Sequence, residues 1–187
     1  MKLIGLMGYK GAGKDTVADM ICNTSVARSV TIARPLRDMA TSFLQSFGVI
    51  PQWENREWKE AVVPEIGVSP RHILETLGTE WGRQHVADDI WLKFATHALE
   101  VLELNGVQAA VVTDVRFDNE AQMIVDRGGI LVHIDRPECT PTTHSSSSPL
   151  WQKFPHIRVE NNLGKGELYD AVEALIKSMK IPTARRG

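Results

Sequence analysis

The sequence has little of what marks a secreted, membrane-bound or nucleic-acid-binding protein. Its two cysteines, Cys22 and Cys139, lie far apart and lack metal-ligand spacing, so we expect reduced thiols and no disulfide framework. The formal net charge of −2 creates no strong field for nucleic acid or an anionic membrane. Apolar runs are too short to span a membrane, and Gly8 and Lys10 interrupt the apolar start, unlike a signal peptide. These absences favour a cytoplasmic protein that acts on small molecules, with no nucleic-acid or membrane partner.

The 187 residues suffice for one domain with a sizeable core, and apolar runs alternate with helical periods. This alternation predicts an α/β protein with a parallel sheet covered by helices. Strands are expected at 2–7, 29–33, 109–113, 130–134 and 156–159, and helices at 13–23, 36–47, 69–81, 89–105, 118–127 and 166–179. Segment 48–70 is either a substrate-side flap, which we favour, or a packed connection. Segment 136–149 is expected to be a lid.

A glycine-rich loop follows the first strand with the spacing of a phosphate-binding loop. Residues 8–14 match the pattern G-x-x-x-x-G-K, between an apolar strand and an amphipathic helix. Glycine lets the backbone fold closely around an oxyanion, and main-chain amides at a helix start attract phosphate oxygens. The pattern therefore predicts ATP binding rather than a merely structural turn. The residues expected to bind ATP are Gly11, Ala12, Gly13, Lys14, Asp15 and Thr16.

Two residues of this loop bear on the transferred phosphate and its metal. Lys14 is expected to reach the β- and γ-phosphates of ATP. Asp15 stands where Ser or Thr usually binds Mg²⁺. The metal contact is therefore expected from the Thr16 hydroxyl, from a water or from a distant acid.

An acid and a base follow the apolar strand at 109–113. Ligands of α/β sheets bind at the carboxyl ends of the strands. Asp114 is thus placed to meet Mg²⁺, its water shell or a substrate hydroxyl, and Arg116 is placed to pair with a phosphate. The structural alternative is that Asp114 caps the next helix together with Asn119 and Glu120.

Several other arginines predict a second phosphorylated ligand. Arg34 and Arg37 follow the second strand, Arg83 offers a planar fork for bidentate phosphate binding, and Arg136 could close over ATP. Phosphoryl transfer is catalysed mainly by positioning and by neutralising charge on the moving group, so basic side chains suit this chemistry. The alternative for Arg83 is an ion pair at the protein surface.

Two glycines, Gly78 and Gly82, interrupt a helical pattern. Each costs about 1 kcal/mol relative to alanine in a helix, so we expect a ligand or another backbone to approach closely there. Trp81 and Trp91 could stack on a base or pack in the core, and the sequence leaves both possibilities open.

Together, these residues resemble the bacteriophage deoxynucleoside monophosphate kinases. The matching pieces occur in one order through nearly the whole chain, at 8–16, 33–37, 77–83 with Trp91, 113–120 and Asn161-Asn162. The phosphate loop alone occurs in many families, whereas the set is more specific. The resemblance implies a three-layer P-loop fold of the nucleoside monophosphate kinase type, here a single domain over 1–187. It also implies transfer of the γ-phosphate of ATP to a deoxynucleoside monophosphate, with Mg²⁺.

The resemblance implies residue roles as well. Lys10 and Lys14 would bracket the transferred phosphate, and Arg136 and Asn161 would lie near the adenine end. The catalytic candidates are Lys14, Lys10, Arg116 and Asp114. The substrate-binding candidates are Lys10, Arg34, Arg37, Thr79, Trp81, Arg83, Trp91, Asp114, Arg116 and Glu120. Family precedent also makes a homodimer an option, and a phage-encoded enzyme would act in the host cytoplasm.

The chain departs from the family pattern at one point. Family members tend to carry a His-x-Ser-Glu element in the lid, whereas residues 144–148 read His-Ser-Ser-Ser-Ser, so we assign them no role beyond the lid. Two other functions stay open: a kinase of another small acceptor such as dephospho-coenzyme A, and a regulator that binds ATP and transfers nothing. The arginines beyond the ATP loop favour transfer.

Overall fold

A parallel sheet lies at the centre of the computed structural model, which describes residues 1–139, 149–162 and 164–184. Its strands are β1 (Lys2–Met7), β2 (Arg28–Val30), β3 (Ala109–Val112), β4 (Ile130–Asp135) and β5 (Ile157–Glu160). The strand order is β2-β3-β1-β4-β5, and every neighbouring pair is parallel. All carboxyl ends therefore lie at one edge of the sheet. The predicted fold class, a parallel sheet flanked by helices, is confirmed.

Helices connect these strands. They are α1 (Lys14–Thr24), α2 (Arg34–Ser46), α3 (Arg56–Glu60), α4 (Pro70–Glu75), a π-helix (Thr76–Val86), α5 (Ile90–Leu104), α6 (Asp118–Asp126), a 3₁₀ turn (Leu150–Gln152) and α7 (Lys165–Ser178). In the part of the chain that the structure describes, no helix combines the length and apolarity needed to cross a membrane.

Contacts divide the chain into two compact units. The first unit comprises Met1–Ile32 and the residues from Ala95 onwards, and it contains the sheet. Its core consists of apolar side chains from the central strands together with α1 and α7. The second unit, Ala33–Phe94, has its own small core of Ala40, Leu44, Val63 and Ile73. The expectation of a single domain stays a prediction.

The end of the second strand and the start of the next helix differ from the sequence-based expectation by two residues or more. The second strand ends at Val30 instead of residue 33, and α2 begins at Arg34 instead of residue 36. Pro35 lies in the first turn of this helix, where its fixed φ is suited and its missing N–H is not needed. The proline therefore favours an earlier helix start.

The helix predicted from Ser69 begins as expected but changes its hydrogen bonding. The Ser69 hydroxyl accepts from the His72 N–H at 3.2 Å, a regular N-cap. From Thr76 onward the turns widen into the π-helix. In segment 48–70, Trp53 and Trp58 pack against the core of the second unit, which fits the packed-connection alternative. Of the predicted lid, residues 140–148 lie outside the described residues.

Candidate active site

The glycine-rich loop joins the carboxyl end of β1 to α1 and is built as the motif predicts. Gly8, Gly11 and Gly13 all have positive φ, at 148°, 87° and 99°. At Gly8 a Cβ atom would come within 2.5 Å of the Ile134 carbonyl oxygen, because the loop passes close to β4. A side chain is thus excluded by both backbone conformation and space.

Lys14 is tied to the loop that precedes it. Its Nζ donates to the carbonyl oxygens of Gly8 at 2.8 Å and Tyr9 at 3.0 Å. Burial and, to a smaller extent, the positive charge of Arg116 lower the pKa of Lys14 to about 8, although Asp15 and Asp114 oppose the shift. The ammonium group is therefore partly desolvated and would gain from an anion in the loop.

Asp114 and Arg116 lie at the end of β3, within electrostatic reach of Lys14. Asp114 is buried, and its Oδ1 accepts from the Ile32 N–H at 2.8 Å, which holds the chain just after β2. Arg116 is exposed. The structure thus brings Asp114 and Arg116 to the same edge of the sheet as the loop.

Glu120 caps the turn that leads into α6. Glu120 is 2% exposed, and its Oε2 accepts from the backbone N–H groups of Arg116 at 2.8 Å and Phe117 at 3.1 Å. These bonds satisfy donors at the start of α6. Glu120 therefore supports the turn that carries Arg116, and its assignment as a substrate-binding residue stays a prediction.

Arg136 and Asn161 follow β4 and β5 at the same edge. Arg136 pairs with Glu138 at 3.1 Å on the surface. Asn161 contacts the phosphate loop itself: its Nδ2 donates to the Ala12 carbonyl oxygen at 2.8 Å. The family resemblance implies a place near the adenine end for Asn161, and the structure shows that its side chain bonds to the phosphate loop.

An aromatic cluster that we did not anticipate lies beside the loop. The Tyr9 ring meets Trp151 edge-on at 4.9 Å, and Trp151 stacks flat on His133 with ring centroids 3.9 Å apart. Burial lowers the pKa of His133 to about 4, so the ring is neutral at pH 7. No local sequence pattern predicts this cluster, because its members come from distant parts of the chain.

In the second unit, two predicted arginines are exposed and form loose ion pairs. Arg34 lies 3.7 Å from Asp38, and Arg37 lies 3.7 Å from Glu54. Arg83 donates to the Asp88 carbonyl oxygen at 3.0 Å. Arg83 thus bonds to the main chain of its own unit, and its assignment to phosphate binding stays a prediction.

The two tryptophans of this unit differ in their surroundings. Trp91 is 5% exposed and its Nε1 donates to the Gly78 carbonyl oxygen at 2.8 Å, whereas Trp81 is 44% exposed. A Cβ at Gly82 would overlap the Trp91 ring, and one at Gly78 would lie 3.2 Å from Leu36. Side chains of the same unit thus approach both glycines closely, and Trp91 packs against Gly82. A ligand near these glycines and the assignment of Trp91 to the substrate site stay predictions.

The remaining candidates, Lys10, Asp15, Thr16 and Thr79, are exposed. Among the described residues, no group of three or more His, Cys, Asp and Glu side chains could hold a metal ion. Mg²⁺ in kinases is typically bound through few protein oxygens, substrate phosphates and water, so the Thr16 hydroxyl and the Asp114 carboxylate suit it chemically. The open loop backbone and the Lys14 ammonium fit a triphosphate. Cys22 and Cys139 are free thiols.

Comparison with known proteins yields a family match. The model of the deoxynucleotide monophosphate kinase family matches residues 52–171. A protein of Acanthamoeba polyphaga mimivirus that carries the name deoxynucleotide monophosphate kinase is 32% identical over 184 residues, covering 92% of this chain and 94% of that protein. The deoxynucleoside-5'-monophosphate kinase of Escherichia phage T5 is 27% identical over 221 residues, covering 81% and 86%.

Two solved structures show a more distant likeness. An APS kinase of Mycobacterium tuberculosis is 15% identical with a TM-score of 0.47, covering 96% of both chains. A sugar kinase of Janibacter sp. is 12% identical with a TM-score of 0.49, covering 97% of this chain and 95% of its own. The fold class rests instead on the sheet order of this chain. With the family model matching well over half of the chain, the protein belongs to the deoxynucleotide monophosphate kinase family.

Proposed function

We propose that this chain is a kinase that transfers the γ-phosphoryl group of ATP to a deoxynucleoside monophosphate. The observation that carries the proposal is the Lys14 ammonium, held by two loop carbonyls within electrostatic reach of Arg116 and Asp114. A merely structural loop has no need of a partly desolvated cation at this position. Membership of the family supports the same reaction.

The chemistry requires positioning and charge neutralisation from the protein, without a protein nucleophile. An oxygen of the acceptor phosphate attacks the γ-phosphorus, the bond to the β–γ bridging oxygen breaks, and ADP leaves. Main-chain amides of residues 11–16 would hold the triphosphate. Lys14 and Arg116 would neutralise the charge that spreads over the transferred group.

The acceptor is assigned to basic residues whose present partners are easily displaced. The Arg34 and Arg37 pairs are exposed and 3.7 Å long, and such pairs contribute little to stability. A dianionic phosphate can therefore compete for these guanidinium groups, which bind it in a bidentate manner. Arg83 is a third candidate because its guanidinium can bind a phosphate in the same manner, and the exposed ring of Trp81 offers a surface for the base. Lys10 and Thr79 complete this assignment.

Mg²⁺ is the expected companion of ATP. It would bridge phosphate oxygens and offset their charge. The Thr16 hydroxyl is the proposed protein contact, and Asp114 would orient the water around it. Asp114 already holds the Ile32 N–H through Oδ1, so this carboxylate has a defined orientation before any ligand binds.

A coupled assay with each of the four deoxynucleoside monophosphates tests the proposal. ADP release should require both the acceptor and Mg²⁺, and Lys14→Ala should abolish it while leaving the fold and thermal unfolding intact. Lys165→Ala, at an exposed position of α7, is the matched lysine control and should keep full turnover. ADP release that does not depend on any acceptor, or phosphorylation of dephospho-coenzyme A alone, would contradict the proposal.

A further inference from the structure

Asn161 directly follows β5 and has a defined position there. Its backbone N–H donates to the Asp135 carbonyl oxygen at 2.8 Å, which continues the pairing of β5 with β4. Its side chain then reaches a residue 149 positions away, with Nδ2 donating to the Ala12 carbonyl oxygen at 2.8 Å. The side chain is therefore anchored by the sheet at its base and bonded to the loop at its tip.

The neighbouring Gly13 is shaped by the same contact. A Cβ atom at Gly13 would overlap the Nδ2 atom of Asn161, and the φ of Gly13 is 99°. The Asn161 amide thus lies against the main chain of two consecutive loop residues. Its close fit explains why this position of the loop has room only for glycine.

Peptide planarity transmits this contact to the ligand side of the loop. The Ala12 carbonyl and the Gly13 N–H belong to one peptide unit, and in a trans peptide they point in opposite directions. No described peptide bond is cis. When Asn161 holds the Ala12 carbonyl, it therefore also fixes the direction of the Gly13 N–H, a donor of the phosphate-binding motif.

We infer that Asn161 is a positioning residue for the triphosphate: it orients the Ala12–Gly13 peptide and does not read the base. This inference rests on the proposed function, because it assumes that the loop binds ATP. It replaces the adenine-end role that the family resemblance implied for this residue. Asn161 acts through the loop, because its amide nitrogen donates to the Ala12 carbonyl oxygen.

Two variants and one matched control separate the effects of the lost donor, the lost side chain and the added charge. Asn161→Asp keeps the shape but removes the donor, and Asn161→Ala removes the side chain without adding charge. Asn162→Asp places the same negative charge one residue away, at an exposed position. Thermal unfolding of each variant shows whether it is folded before binding is measured.

The ligands are ATP and inorganic tripolyphosphate, which has no base, and binding is measured by calorimetry. In each Asn161 variant, the affinities for ATP and for tripolyphosphate should fall by the same factor, about tenfold or more. A misdirected donor costs roughly as much as a lost hydrogen bond to a charged group. Asn162→Asp should change either affinity by less than about threefold, as exposed charges are screened. Affinity for the deoxynucleoside monophosphate should not change.

A loss confined to ATP would show that Asn161 contacts the base and would overturn the inference. Equal losses for ATP, tripolyphosphate and the monophosphate would show a general structural defect and would also overturn it. If the wild-type protein binds tripolyphosphate through the loop but transfers no phosphoryl group, the proposed function fails while the role of Asn161 can still be measured.

A double-mutant cycle provides an independent check. Gly13→Ala should displace the Asn161 amide from the Ala12 carbonyl, so it breaks the same bond that Asn161→Ala removes. The losses in tripolyphosphate affinity should therefore be less than additive in the double variant. Fully additive losses would show that the two residues do not act through one contact.

Discussion

The proton on Lys14 offers the sharpest test of how this loop works. Burial and then the nearby Arg116 lower the pKa of Lys14 from 10.5 to about 8 in the free protein. A bound triphosphate places several negative charges beside the ammonium and should raise its pKa again. Binding of ATP should therefore take up a proton when the pH is near or above 8.

The size of the effect follows from the pKa. With a value of about 8, the amine is about one-tenth neutral at pH 7, half neutral at pH 8 and nine-tenths neutral at pH 9. ATP binding should then take up about 0.1, 0.5 and 0.9 protons at these pH values, provided that the bound pKa exceeds 10. If only the charged form binds, the affinity should fall about tenfold from pH 7 to pH 9.

Calorimetry in buffers of different ionisation enthalpy measures the proton uptake directly. The experiment is best done at constant Mg²⁺ in a Cys139→Ser background, which removes the thiol beside Gly11. Lys14→Arg is the matched control, because a guanidinium stays charged through this range and takes up no proton. Binding enthalpies that are equal in all buffers at pH 8, together with an affinity that is flat from pH 7 to pH 9, would refute the reasoning.

Three further predictions concern the acceptor, packing and acid stability. Arg83→Ala should raise the KM for the acceptor about tenfold or more, with little change in unfolding temperature. Arg71→Ala, the control, should leave this KM unchanged. A change in unfolding temperature without a change in KM would contradict the assignment. Gly82→Ala should lower the free energy of unfolding by about 1–3 kcal/mol, because its Cβ would overlap the buried indole of Trp91. Gly78→Ala should lower it by less, and urea unfolding measures both changes. The pKa of His133 is lowered by burial from 6.5 to about 4, so the unfolded chain binds more protons between these values. Stability should fall by up to about 3 kcal/mol as the pH drops through this window, and His133→Phe should flatten that fall.

Several strands and helices could be predicted from the pattern of neighbouring residues. The strand 2–7, the loop after it and the helix that follows were predicted from adjacent residues, and the structure places them at Lys2–Met7 and Lys14–Thr24. The apolar run at 109–113 predicted a strand, and β3 is one whose residues are all buried. The helix start at residue 69 was also predicted, and the Ser69 hydroxyl caps that helix. Such features depend on a few neighbouring residues, so the sequence carries them directly.

Contacts between residues distant in the chain were not predicted. Asp114 accepts from the Ile32 N–H, 82 positions away, and this bond has no signal in the local sequence. Gly82 lies against the Trp91 ring, whereas the pattern of glycines indicated only that something approaches closely. In each case the local sequence indicated a constrained residue, but its partner could not be identified because it lies elsewhere in the chain.

The sequence alone identifies a phosphate-binding loop, because the strand, the glycines and the lysine that form it are adjacent in the chain. Tertiary structure alone decided how that site is held. The Asn161 bond to Ala12, the Trp151 stack on His133 and the lowered pKa of Lys14 all arise where strands distant in sequence end at one edge of the sheet. Hydrogen bonds and desolvation depend on distance in space, which a linear pattern does not encode.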